Sequence, residues 1–217
     1  MHQTPYVHRM FRDVFTGIDT RQKKAIPINE LHTLLNEDPQ SDKLRRTQAI
    51  ANLLFLFCGM PFVDLAYLEK SNLEGNMLKY NRAKTGIPMN VEILDSAATI
   101  ISQLRNKHTT VLPEHPDYLF YILSGKNKRS DEAGYKEYQS ALRCFNNDLK
   151  SLARKLCIRS SVTSYTFRHS WATTAKYRGV PIEMISESLG HTSLSTTQYY
   201  LDSFENEQID EAMKNLL

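Results

Sequence analysis

Residues 164–204 read SYTFRHSWATTAKYRGVPIEMISESLGHTSLSTTQYYLDSF, and most of the local signals in the chain lie within them. The stretch predicts two short helices, at about 168–178 and about 181–188. Gly179 stands between the two and is the expected C-terminal cap of the first, because glycine adopts the left-handed conformation without steric cost.

Three chemically distinct motifs follow one another in this stretch. Arg168 and His169 form an adjacent pair, an LGH triplet ends at His191, and Tyr200 follows nine residues later. Taken singly, each motif has an ordinary structural interpretation. The Arg-His pair could lie on the surface or cap a helix, the LGH triplet could end a helix, and Tyr200 could be a half-buried aromatic side chain. Their order and spacing together indicate a single site with a chemical task.

The residue types suit attack on a phosphodiester. The planar guanidinium of Arg168 stays charged and can bind two phosphoryl oxygens at once, and His191 can donate a further hydrogen bond. A tyrosine hydroxyl, with a reference pKa of about 10, is a weak nucleophile in water and needs such a positive environment. The arginine, histidine and tyrosine side chains supply the charge, the hydrogen bond and the nucleophile themselves, so we expect neither ATP, a redox cofactor nor a metal to be required.

In these motifs the sequence resembles the tyrosine recombinase family of phage-integrase type, from GIDTRQKKAI near residue 17 to the tail. The resemblance implies the fold of the family's catalytic domain and site-specific strand exchange through a 3′-phosphotyrosyl intermediate. It implies Tyr200 rather than Tyr199 as the nucleophile, because the family's nucleophile falls at the later position. The implied partners are double-stranded DNA carrying attachment or inverted-repeat sites, a homo-tetramer formed on that DNA, and accessory DNA-bending proteins.

A predicted β-hairpin provides a second match to the family. MLKYNR and PMNVEI are expected to be strands, joined by AKTG with Gly86 as the turn residue. Family members place a catalytic lysine in such a hairpin, and RAKTG, residues 82–86, resembles that element. Lys84 is therefore the expected general acid for the departing 5′-oxygen, although a lysine in a hairpin is also an ordinary soluble turn residue.

The family's first arginine is absent. Its usual pattern of Gly, Leu or Met, Arg, two residues, and an acid corresponds here to residues 59–65, GMPFVDL, where Pro61 replaces the arginine and Asp64 fits the acidic position. The segment resembles a branch found on integrative and conjugative elements of anaerobic gut bacteria. That branch often has an arginine directly before the Gly-Met pair, where this chain has Cys58.

Two residues depart from the family pattern in ways that affect the site. Side chains two positions apart point to the same face of a strand, so Arg82 is expected beside Lys84, where it could replace the missing guanidinium. An arginine on the solvent face of the strand is the alternative. Tyr165 stands where most members have histidine, as in the gut-element branch, and can hydrogen-bond a phosphate oxygen without carrying charge.

The predicted fold class is mainly α with a small antiparallel β-sheet. Residues 1–26 are expected to be a lead-in or interdomain linker, and 27–217 the catalytic domain, which includes a tail helix at about 205–217. The tail has one apolar face that could dock on its own domain or on a neighbouring subunit.

No part of the sequence matches the family's N-terminal DNA-binding domain, so we interpret the chain as a fragment or a single natural domain. The remaining predicted helices are at 27–36, about 41–58, about 95–106 and about 134–157, with a further helical turn in FVDLAYL.

Composition is that of a globular protein, with 41% apolar and 24% charged residues and a net charge of +3. No run approaches the length of a membrane span, and no signal peptide is recognisable. Three cysteines, an odd number without metal spacing, are consistent with reduced thiols in the cytoplasm.

Local clusters of basic residues permit DNA contacts, although each cluster alone is also typical of a solvated face. They are Lys43, Arg45 and Arg46; Lys126, Lys128 and Arg129; and Lys150, Arg154, Lys155 and Arg159.

The leading functional hypothesis is integration and excision of a mobile element, preferred over inversion of a promoter segment. A topoisomerase-like DNA relaxer with the same residues is the main enzymatic alternative. A DNA-binding module with a decayed active site is the alternative from another class, suggested by the missing arginine.

Overall fold

In the computed structural model of the chain, the described residues are 25–105, 117–127, 129–198 and Leu201. Within them the backbone forms helices around one small sheet, in agreement with the predicted fold class. The elements in chain order are α1 (Ile28–Asn36), α2 (Asp42–Leu56), α3 (Phe62–Ala66), a 3₁₀ helix (Lys70–Asn72), β1 (Leu73–Glu74), β2 (Met77–Asn81), β3 (Pro88–Glu92), α4 (Asp95–Leu104), α5 (Glu132–Lys155), α6 (Thr166–Tyr177) and α7 (Ile182–Leu189).

The sheet is antiparallel throughout, with strand order β1-β2-β3. Leu78 of β2 faces Val91 of β3, and the side chains of both are buried, so alternate positions of the hairpin contact the core. Gly86 closes the turn in the left-handed conformation, at φ +72°. The predicted hairpin is confirmed, with each of its two strands ending one residue earlier than the motif suggested.

Helix α2 lies at the centre of the main core. It contacts α1, α4, α5 and α6, and its apolar residues Leu53 and Leu54 are fully buried. The helix predicted at about 134–157 is confirmed as α5, and its apolar residues Phe145, Leu149 and Leu152 form a stripe that is buried in the same core. This stripe holds α5 against α2 in the larger of the two apolar clusters beneath the site.

Helices α6 and α7 form a second, smaller apolar cluster. Its buried members are Ala172, Ala175, Ile185, Leu189 and Leu201. Gly179 follows α6 at φ +75°, with its amide donating to the carbonyl of Lys176 at 2.9 Å, so the predicted cap is confirmed.

Helix α2 is shorter than the sequence predicted. It ends at Leu56 rather than near 58, because Cys58 and Gly59 take left-handed conformations at φ +55° and +67°. The tail at 205–217 and nearly all of the lead-in segment lie outside the described residues. Among the residues that the structure describes, no helix combines the length and the apolar character needed to cross a membrane.

Candidate active site

Arg168 lies at the centre of the site, in the first turn of α6, and is almost completely buried. Its Nη1 donates to the carbonyl oxygen of Gly59 at 3.2 Å, and its Nη2 donates to the carbonyl oxygen of Leu189 at 2.6 Å. The same Nη2 lies 3.1 Å from Nε2 of His191. The guanidinium therefore joins the turn after α2 to the C-terminal end of α7.

The turn after α2 must contain glycine because it approaches Arg168 so closely. A Cβ atom on Gly59 would lie 2.8 Å from the Arg168 Cα, and the residue has a positive φ. The preceding Cys58 is also left-handed, and burial raises the pKa of its thiol. Pro61 serves as the N-cap residue of α3. The family's first arginine thus has no charged replacement at position 58 or 61.

His191 is presented by a tight helix end. Gly190 caps α7 in the left-handed conformation, and the His191 amide donates to the carbonyl of Ser186 at 3.0 Å. On the imidazole ring, Nδ1 lies 2.7 Å from Oγ1 of Thr197, and Nε2 faces Arg168. Thr197 is completely buried. It was not singled out from the sequence, where it is one of several threonines in the spacer before Tyr200.

His191 lies in a strongly positive environment. Burial is the largest cause that lowers its pKa, and the nearby charges of Arg168, Arg82 and Lys84 lower it further, to about 4. The imidazole is therefore neutral at neutral pH. These charges come from α6 and from the turn between β2 and β3, so the structure brings these predicted residues together around one ring.

Arg82 and Lys84 differ in burial. The expectation that both project from one strand face is wrong, because β2 ends at Asn81 and the two residues lie in the turn. Arg82 is 6% exposed, whereas Lys84 is exposed. The solvent-facing alternative for Arg82 is therefore also wrong.

Arg82 is held from two sides. Its Nη1 forms an ion pair with Oδ2 of Asp64, and the other carboxylate oxygen accepts a hydrogen bond from the Ala83 amide at 2.8 Å. Its side chain packs on Gly190, where a Cβ atom would lie 2.9 Å from the Arg82 Cγ. Its Nε, although buried, has no hydrogen-bond partner within the described part of the chain.

Tyr165 lies at the start of α6 and is about one-third exposed, at 37%. Its ring makes an edge contact with the ring of His169, at a centroid distance of 4.8 Å. It therefore stands one helical turn before His169 and three residues before Arg168.

Tyr200 and Tyr199 lie outside the described residues. Their sequence neighbours are anchored, however, because Thr197 is completely buried and Leu201 is 1% exposed in the α6–α7 cluster. Beside His191, a cleft of about 720 Å³ separates β3 from α7. Throughout the described ranges, no cluster of three or more His, Cys, Asp or Glu residues forms that could hold a metal ion.

Members of the first predicted basic cluster form intramolecular contacts. Lys43 pairs with Asp148 at 2.6 Å, and Arg45 pairs with Asp38 at 2.9 Å. The guanidinium of Arg46 donates to the carbonyl of Tyr121 at 2.8 Å. Part of the charge of this cluster is therefore balanced within the chain.

Comparison with known proteins gives the family. A sequence profile of the phage integrase family matches residues 24–207. The chain belongs to the phage integrase family. Tyrosine recombinase XerA of Pyrococcus furiosus is 31% identical over 179 residues, which are 82% of this chain and 56% of XerA. The chain therefore spans little more than half the length of this curated relative.

Solved structures share the fold. The crystal structure of XerA recombinase superposes with a TM-score of 0.61 and 22% identity, over 91% of this chain and 66% of that one. The Tn1549 transposon integrase in complex with a circular intermediate DNA gives a TM-score of 0.60 and 14% identity, over 88% of this chain and 67% of that one. At these identities the similarity establishes the arrangement of helices and sheet.

Proposed function

We propose that this chain is the catalytic domain of a site-specific DNA recombinase that cuts and rejoins strands through a 3′-phosphotyrosyl intermediate, with Tyr200 as the nucleophile. The observation that carries the proposal is the distance of 3.1 Å between Arg168 Nη2 and His191 Nε2. Tyr200 follows this histidine by nine residues in the sequence. Family membership supports the activity, and the named relative XerA is a tyrosine recombinase.

The electrostatics of the site favour an anionic phosphoryl group. The positive charges that lower the pKa of His191 would also attract the non-bridging oxygens of a scissile phosphate. Because Arg168 is buried and already held by two backbone carbonyls, it is preorganised and need not reorient in the reaction. The same field would favour the phenolate form of an attacking tyrosine.

Tyr200 is bracketed in the sequence by two buried residues of its own chain, Thr197 and Leu201. This supports a nucleophile supplied in cis. In the proposed reaction the Tyr200 oxygen forms a bond to phosphorus, the bond from phosphorus to the 5′-oxygen breaks, and Lys84 gives that oxygen its proton. Lys84 suits this role because it lies exposed in the hairpin turn. Tyr165 would donate a hydrogen bond to a phosphoryl oxygen.

Arg82 is the proposed replacement for the missing first arginine. Its burial, its position against Gly190 and its influence on His191 all support a cation that serves the phosphate site. Asp64, at the family's acidic position, would hold the guanidinium in place while leaving its charge within reach of the phosphate.

Replacement of Arg82 tests this assignment. We expect Arg82→Lys to reduce single-turnover cleavage by about 10²-fold or more, because lysine keeps the charge but lacks the planar fork. Arg82→Ala should be at least as impaired, and less stable, because it leaves the Asp64 carboxylate buried without its partner. Lys79→Ala is the matched control, since Lys79 lies on the same hairpin and pairs with Glu74 at the surface. Equal cleavage by Arg82→Lys and the parent chain would remove Arg82 from the mechanism.

We propose the integration and excision of a mobile element as the biological role. The support is the resemblance of residues 59–65 and of Tyr165 to the gut-element branch, together with the similar fold of a protein named as the Tn1549 transposon integrase. The proposed partners are double-stranded DNA, three further copies of the protein on that DNA, and DNA-bending proteins. The proposed place of action is the cytoplasm. Inversion of a promoter segment is the second candidate within the same chemistry.

Trapping of the covalent intermediate tests the activity. The chain is incubated at low salt with nicked duplexes that carry candidate attachment sites with inverted repeats, so that the cleaved fragment diffuses away. We expect a denaturing gel to show a protein–DNA adduct that protease removes. Binding of the duplexes without any adduct would instead identify an inert DNA-binding module, and relaxation of plasmids lacking the repeats would identify a topoisomerase-like enzyme.

A further inference from the structure

Thr197 makes a side-chain contact to the catalytic histidine that no sequence motif indicated. We propose that Thr197 is a positioning residue for His191, with its hydroxyl oxygen accepting the Nδ1 proton so that Nε2 faces the phosphate site. The inference deepens the proposed recombinase function and rests on it for its catalytic consequence. The hydrogen-bond assignment itself is a property of the free protein and can be tested separately.

The contact is short and shielded from water. The Thr197 Oγ1 lies 2.7 Å from His191 Nδ1, and Thr197 has no exposed surface. A hydroxyl buried in this way needs a partner, because an unpaired polar group in the interior costs about 1–3 kcal/mol. The imidazole supplies that partner, and the contact in turn restricts rotation of the ring.

The direction of the hydrogen bond follows from the other side of the ring. Arg168 Nη2 lies 3.1 Å from His191 Nε2, and a guanidinium can only donate. Nε2 must therefore be the acceptor in this contact and carry no proton. A neutral imidazole has one N–H, so the proton is on Nδ1 and is donated to the Thr197 oxygen.

This arrangement defines what must change when a phosphate binds. For His191 to donate to a phosphoryl oxygen, Nε2 must take up a proton from solvent, which converts the imidazole to imidazolium. The charged groups that oppose this are Arg168 on α6 and Arg82 and Lys84 in the hairpin turn. A bound phosphate anion offsets their charge and can accept hydrogen bonds both from Arg168 and from the protonated Nε2, and Thr197 remains an acceptor in both states.

Thr197 also connects this histidine to the segment that carries the nucleophile. It is three residues before Tyr200 and four before Leu201, and both Thr197 and Leu201 are buried. Residues four apart share one face of a helix. A single hydrogen bond therefore fixes the His191 ring to the anchored part of the chain that leads to Tyr200.

Nitrogen NMR of the parent chain tests the hydrogen-bond direction. With ¹⁵N-labelled histidine at neutral pH, we expect His191 to show a protonated Nδ1 and an unprotonated Nε2. After nicked duplex is added, the same ring should show both nitrogens protonated. A free protein with the proton on Nε2 would overturn the proposal, whether or not any variant folds.

Substitution tests the catalytic consequence. Thr197→Val keeps the side-chain shape but removes the hydroxyl, and we expect single-turnover cleavage to fall about 10- to 100-fold, as for other partners that orient a functional histidine. Duplex affinity should stay within about twofold, since the phosphate-binding groups remain. Thr197→Ser should restore most of the rate, and Thr196→Val is the control, because Thr196 is exposed and adjacent.

The two proposals fail in different ways. Thr197→Val with the parent rate and the parent His191 signals would eliminate the positioning role. Equal impairment of Thr197→Ser and Thr197→Val would show that packing, not the hydroxyl, is what matters. If the parent chain forms no covalent adduct on any duplex, the recombinase proposal fails, while the NMR of the free protein still decides the hydrogen-bond direction.

Discussion

Tyr200→Phe should abolish the covalent protein–DNA adduct completely. The substitution removes the only atom that the proposed reaction joins to phosphorus, and neither Arg168 nor His191 can replace it as nucleophile. Duplex affinity should remain close to that of the parent chain, because one hydroxyl contributes little beside the electrostatic attraction of the site. The measurement is a denaturing gel of suicide-substrate reactions, with a gel-shift titration of the same duplex in parallel.

Tyr199→Phe is the matched control for this experiment, because it removes the same hydroxyl one position earlier. We expect it to form adduct at a rate similar to that of the parent. An adduct formed by Tyr200→Phe but not by Tyr199→Phe would reverse the assignment and show that the nucleophile of this chain is the tyrosine nearer to His191.

Gly59→Ala should reduce both stability and cleavage strongly. A Cβ atom at this position would lie 2.8 Å from the Arg168 Cα, so the turn and α6 must separate. Left-handed backbone in a non-glycine residue costs about 1–3 kcal/mol in addition. A displacement of about 1 Å at a catalytic group can lower the rate by about 10²-fold. We expect a lower melting temperature together with a cleavage loss of about that size.

Gly75→Ala separates the two causes. Gly75 has nearly the same backbone conformation, at φ +62°, but no atom lies within 4 Å of the point that a Cβ atom would occupy there. It should therefore lose stability through backbone strain alone and cleave at the parent rate. A Gly59→Ala variant that cleaves as fast as Gly75→Ala would mean that the close approach to Arg168 does not position the guanidinium.

The helices and the hairpin were predictable because their signals are local. The stripe along α5 has the period of a helix, and Gly179 and Gly86 occupy left-handed positions that favour glycine. The boundaries of α2 and β2 were less accurate, since both end where the chain turns to meet distant segments. The left-handed pair at Cys58 and Gly59 ends α2, and contacts with Asp64 hold the turn beyond β2.

Four candidate residues that the structure brings together, Arg82, Lys84, Arg168 and His191, were predicted from the sequence, but their arrangement was not. The burial of Arg82 depends on a carboxylate 18 residues earlier, and strand alternation does not extend into the turn that Arg82 begins. No sequence motif distinguished Thr197 from the other threonines of the spacer. Its role becomes visible only in the structure, where its hydroxyl contacts the His191 ring. The sequence offered only its spacing of four residues from the apolar Leu201, which places both on one face of a helix.

The hydrogen bond between Gly59 and Arg168 joins residues that are 109 positions apart. Contacts of such long sequence separation form late, because the entropy of loop closure must be overcome before they contribute. During synthesis, the Gly59 carbonyl therefore cannot accept its hydrogen bond from Arg168 until α6 has left the ribosome. A growing polypeptide in which α2 has already packed on α1, α4 and α5 still lacks the Arg168 guanidinium. Under the proposed function, the phosphate site is therefore completed only when α6 and α7 have been synthesised, and a product terminated before them lacks it.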